Sequence, residues 1–139
     1  VILTLDLNSE IPIYQQIRDR VVEAVAAGEL AEGAALPSTR QLAADLGINF
    51  HTVNKAYDLL RREGLLLLNR KSGAVVRRDA RSGPPEPGFT DDWGARLRTL
   101  LAEATVQGLD GAAVLAACGR TVGGFRVRPE GARVEGESV

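Results

Sequence analysis

Residues 37–64 constrain the fold more than any other stretch, because two short segments with helical periodicity follow one another with only Gly47-Ile48-Asn49 between them. Ser38 can cap the first of these helices, with Gln41 three residues on completing an S-x-x-Q capping box. Leu42 and Leu46 then form an i, i+4 apolar pair before Gly47 stops the helix. Asn49 caps the next helix, on which Val53, Ala56, Tyr57 and Leu60 recur at about 100° per residue as one buried stripe. The other face gathers His51, Asn54, Lys55, Asp58 and Arg62, with Thr52 at one flank. Two helices joined by a three-residue turn, the second bearing hydrogen-bonding side chains at its leading end, make a helix-turn-helix.

The flanks complete a small α+β domain. Upstream, Pro12 suits the first turn of a helix, and Ile13, Ile17, Val21, Ala24 and Val25 recur at spacings of three and four until Gly28. Residues 29–36 read as a loop with a short strand at its end. Downstream, Gly64 stops the helix. The runs 65–68 and 74–78 flank the turn residues Asn69-Arg70-Lys71-Ser72-Gly73, which predicts a β-hairpin with two cations at its tip, a wing on the helix-turn-helix. Residues 1–7 alternate loosely and read as an extended arm.

Charge is divided unevenly within this domain. Residues 1–37 carry two arginines against six acids, whereas residues 38–78 carry eight Lys or Arg against three acids, although the whole chain has a formal net charge of -1. Positive charge concentrated on the segment that also holds the helix-turn-helix is what a nucleic-acid footprint requires. Aromatic residues are only 4%, which disfavours a base-stacking surface for single strands. The 45% hydrophobic and 25% charged contents are those of a folded globular protein.

Residues 80–90, with Gly83-Pro84-Pro85-Glu86-Pro87-Gly88, read as a linker after a first domain at 1–79. In residues 91–125, Asp91 or Asp92 is expected to cap a helix carrying the stripe Trp93, Leu97, Leu100, Leu101 and Ala104. Asp110 then caps a second helix, rich in small residues, that ends by Gly123-Gly124. Two helices of three or four turns cannot bury such a stripe between them, so a dimerisation surface is expected. Residues 126–139 read as a disordered tail.

Several function classes lose support. One cysteine, Cys118, and one histidine, His51, supply neither an internal disulfide nor a Cys/His zinc site, so no metal or cofactor is expected. Cys118, in an alanine-rich segment, is expected to be a small buried residue. No nucleophile-base pair or phosphate loop is evident, which points away from an enzyme. No apolar run approaches the ~20 residues of a membrane span. Asp6 and Glu10 stand where a secretory leader needs a basic and then apolar stretch, so a cytoplasmic location is expected.

The ordered series Ile11-Pro12-Ile13-Tyr14-Gln15-Gln16-Ile17, Gly28-Glu29-Leu30, Leu36-Pro37-Ser38-Thr39-Arg40-Gln41-Leu42-Ala43, and Thr52-Val53-Asn54-Lys55-Ala56-Tyr57 with Glu63-Gly64-Leu65 resembles the GntR family of bacterial winged-helix transcription regulators. The short two-helix C-terminal part resembles the YtrA-like branch, in which that part is mainly a dimerisation module. The larger effector-binding or aminotransferase-like domains of other branches do not fit within 139 residues. The resemblance implies that Ser38, Arg40, Asn49, His51, Thr52, Asn54 and Lys55, with Arg70 and Lys71 at the wing tip, approach double-stranded DNA. It implies a homodimer that represses by occupying a pseudo-palindromic operator. A small-molecule effector is left unidentified. The wing turn departs from the family's glycine-rich pattern. Phe50 stands where proline or a polar residue is usual, and it is not counted among the DNA-contacting residues. The competing expectation is a winged-helix module that binds a protein partner and not DNA.

Overall fold

The computed structural model describes residues 3–69 and 73–137, with side chains described as far as Phe125. The chain forms two compact units, residues 1–82 and residues 83–139.

The first unit is built on three helices and a small sheet: α1 (Ile13–Ala26), β1 (Ala35–Leu36), α2 (Thr39–Leu46), α3 (Phe50–Arg62), β2 (Leu66–Asn69) and β3 (Gly73–Val76). The sheet is antiparallel in the order β1-β3-β2, with Leu66 opposite Val76 and Ala35 opposite Val75. The apolar stripes expected from periodicity meet in one core, where Ile17 and Val21 of α1, Val53 and Leu60 of α3, Leu66 of β2 and Val76 of β3 are almost fully buried. The four-leucine run is not buried throughout. Leu66 points inward while Leu67 and Leu68 remain exposed, because β2 is an edge strand.

The helix ends are set by local chemistry. Ser38 Oγ accepts the Gln41 N–H at 3.1 Å, and Gly47, at φ 70°, takes the left-handed conformation that ends α2. The reciprocal half of the expected capping box does not form. Gln41 Nε2 instead donates to Asp45 Oδ1 at 2.8 Å, one turn on. Asn49 Oδ1 accepts the His51 N–H at 2.8 Å and starts α3.

The N-terminal arm has a structural role. Leu3 and Leu5 pack against the core. The buried Gln16 amide accepts the Asp6 N–H at 2.7 Å and donates to the carbonyls of Asp6 and Ile11 at 2.9 and 2.8 Å. At the other end, the Asp79 carboxylate accepts the N–H groups of Glu32 and Arg81, which hold it below the usual carboxylate range.

The second unit consists of α4 (Phe89–Val106) and α5 (Gly111–Glu137). α4 starts earlier than expected. Its N-cap is Gly88 at φ 86°, and Asp91 and Asp92 lie in the first turn, where their charge complements the helix dipole without capping. Asp110 caps the next helix as expected, its Oδ1 accepting the Ala113 N–H at 2.8 Å. That helix does not end at Gly123-Gly124. Glycine within a helix costs about 1 kcal/mol against alanine but keeps its N–H, so helical backbone continues through residues 126–137, which the sequence suggested were irregular. No residue of α4 is buried. Cys118 is exposed and not buried, because α5 has too little of its own chain to cover the alanine-rich segment.

Candidate nucleic-acid interface

Two helix N-termini, those of α2 and α3, carry most of the side chains singled out from the sequence. The turn between them is fixed at both sides. The Ile48 N–H bonds to the Ala43 carbonyl at 3.0 Å, closing α2, and Leu46 and Ile48 pack against the core. The Tyr57 phenol, on the buried side of α3, donates to the Pro37 carbonyl at 2.8 Å and ties α3 to the entry of α2. Burial pushes that phenol well above its ordinary pKa.

On the outward side, Ser38, Arg40, Asn49, His51, Asn54 and Lys55 are all exposed, and Thr52 is half-buried. Ser38 and Asn49 are engaged as helix caps. The Asn54 side chain makes no hydrogen bond among the described residues, so its carboxamide oxygen and amino group both remain free for a ligand. Arg70 and Lys71 lie outside the described residues.

Arg40 and Lys55 have no carboxylate partner among the described residues, and both stand over aromatic rings. The Arg40 guanidinium carbon lies 4.4 Å from the centre of the Phe50 ring, and Lys55 Nζ lies 4.1 Å from that of Tyr14. His51 extends the first arrangement, its ring centre 4.2 Å from that of Phe50 with 32° between the planes. Phe50 and Tyr14 are the residues that sequence reasoning left out. Adjacency to His51 hinted at Phe50, but no periodicity relates Tyr14, on α1, to Lys55, on α3.

The far half of the α3 polar face behaves differently. Asp58 accepts from Arg61 at 2.6 Å and from Arg62 at 3.1 Å, and these bonds hold its carboxyl below the ordinary value. Arg18 of α1 pairs with Glu63 at 2.9 Å just beyond the helix. Cations in the last turn of α3 are therefore partly neutralised within the protein, whereas those near the two N-termini are not. The macrodipoles add partial positive charge at the same end. Such an arrangement can hold phosphate oxygens and offer directional donors and acceptors beside them.

Among the described residues no group of three or more His, Cys, Asp or Glu is placed to hold a metal, and no helix is long and apolar enough to cross a membrane.

Residues 13–76 match the family described as bacterial regulatory proteins, gntR family. The chain is 36% identical over 80 residues to the HTH-type transcriptional repressor YtrA of Bacillus subtilis, covering 58% of this chain and 62% of that one. Among solved structures it is similar to YtrA from Sulfolobus acidocaldarius, a GntR-family transcription factor, with a TM-score of 0.60 and 38% identity over 76% of this chain and 99% of the other. A transcriptional antiterminator from Listeria monocytogenes shares the fold, with a TM-score of 0.79 at 24% identity over 86% of this chain and 89% of the other. The chain spans less than two thirds of the length of the curated relatives it matches, from 15% of one to 63% of another.

Proposed function

The chain belongs to the GntR family of bacterial regulatory proteins, and from that premise we propose that it is a sequence-specific regulator that binds double-stranded DNA as a homodimer in the cytoplasm and represses without catalysing a reaction. The observation that carries this reading is the cluster of unneutralised, outward-facing donors at the leading ends of α2 and α3.

α3 enters the major groove with its first turns. Asn54 offers the paired donor and acceptor that match the N6/N7 edge of adenine, and the guanidinium of Arg40 matches O6 and N7 of guanine. Ser38, Asn49, Thr52 and His51 take phosphate oxygens or neighbouring base edges, and Lys55 neutralises phosphate. Arg70 and Lys71, which follow β2 in the sequence and lie outside the described residues, would add phosphate contacts.

The second unit supplies the dimer. Trp93 and Leu100 are exposed, and Leu97, Leu101 and Ala104 only half-buried, along one stripe of α4, which a second copy would cover. Two copies related by a two-fold axis then read half-sites about 34 Å apart. That the YtrA relative from Bacillus subtilis is a transcriptional repressor supports repression over activation.

Selection of bound sequences from a pool of random duplexes tests the reading. Recovery of an inverted repeat is the expected result, and recovery of nothing above background would overturn it.

A further inference from the structure

Residues 1–82 contain three aromatic side chains, Tyr14, Phe50 and Tyr57, and each contacts a residue in or beside α2 or α3. Tyr57, buried, ties α3 to the entry of α2, while the other two rings are half-buried and each carries a cation. We infer that Phe50 and Tyr14 are positioning residues for DNA reading: Phe50 holds Arg40 and His51 in one stack, and Tyr14 holds Lys55 over the polar face of α3. The inference rests on the DNA-binding reading above.

Free arginine and lysine side chains sample many rotamers, and ordering them on a ligand costs affinity. A ring that already holds the cation removes part of that cost. Stacking also occupies the flat face of a guanidinium and leaves its in-plane N–H groups free, which are the groups that reach a guanine edge. The Phe50 ring is suited to the task because it is half-buried and packed against the core, so the stack is anchored to the body of the fold. Arg40 comes from α2 and His51 from α3, so the same ring couples the leading ends of both helices. Tyr14 brings α1, which lies outside the helix-turn-helix, into the placement of Lys55.

The experiment compares the full chain with Phe50→Leu, which keeps apolar bulk but loses the aromatic face, and Phe50→Tyr, which keeps the ring. Three quantities are read: the NMR shifts of the Arg40 δ-methylene protons in the free protein, affinity for a duplex selected from the random pool, and melting temperature. The expected result is an upfield ring-current shift in the native chain and in Phe50→Tyr that disappears in Phe50→Leu. Phe50→Leu weakens duplex binding by about threefold to tenfold, Phe50→Tyr keeps native binding, and on an Arg40→Ala background Phe50→Leu has a smaller effect, the remainder passing through His51. An unshifted Arg40 in the native chain overturns the inference, as does a loss of affinity that is the same with and without Arg40. Should Phe50→Leu not fold, Tyr14→Leu with Lys55→Ala carries the same cycle. A native chain that binds no duplex overturns the DNA reading itself, while the ring-current shift still decides whether the stack exists.

Discussion

The Tyr57 phenol donates to the Pro37 carbonyl at 2.8 Å, joining the middle of α3 to the residue that precedes the N-cap of α2. Tyr57→Phe leaves that carbonyl without its donor, and the expected cost is about 1 kcal/mol of stability, measured by urea denaturation.

The same phenol gives a pH signature. Burial holds its pKa above the ordinary value of about 10. Above that pH the unfolded chain has released the proton while the folded one retains it, so the unfolded form binds fewer protons and stability falls as pH rises. Thermal melts between neutral and strongly alkaline pH should show this decline in the native chain and a weaker one in Tyr57→Phe. Parallel curves would place the alkaline sensitivity elsewhere.

Asn49 caps α3 and is assigned to the proposed DNA face, and two substitutions separate those roles. Asn49→Asp retains a good cap and adds a charge that suits the helix dipole, so its melting temperature should stay at or above native while duplex affinity falls. Asn49→Ala should lower stability by about 1 kcal/mol. Undiminished affinity in Asn49→Asp would remove this residue from the interface.

Asn54 and Lys55 should separate recognition from attraction. Asn54→Ala is expected to lose about 1–3 kcal/mol of discrimination at one base pair, with stability at or slightly above native because the side chain has no partner to lose and alanine is the better helix former. Lys55→Glu should weaken binding across all sequences and flatten the dependence on salt. Binding titrations at several salt concentrations, with matched and single-mismatch duplexes, give both quantities.

The exposed stripe on α4 predicts self-association. Leu100→Asp, at a position 61% exposed in the single chain, should shift the protein from dimer to monomer in sedimentation and leave the melting of residues 1–82 unaltered. A native chain that is monomeric at tens of micromolar would end the dimer proposal.

Most of the first unit was legible in the sequence because its signals are local. Ser38, Gly47 and Asn49 act on backbone groups within three or four residues, and the stripes of α1 and α3 need only the helical period to declare a buried side. Where a local rule had a competitor it was less reliable. Gln41 could bond back to Ser38 or forward to Asp45, and the structure takes the second. Glycines at 123 and 124 could stop α5 or be carried within it, and they are carried.

The three helices of the first unit, the caps of α2 and α3, the paired strands β2 and β3 and the polar side of α3 could be read from the sequence, because each depends on neighbours along the chain. Packing in three dimensions is what sets Lys55 over Tyr14, Arg40 and His51 on the Phe50 ring, Gln16 against the arm and Arg18 beside Glu63. Most of these contacts join residues ten or more positions apart on different elements. Their partners are chosen by how the elements pack around the common core, which no periodicity along one segment records.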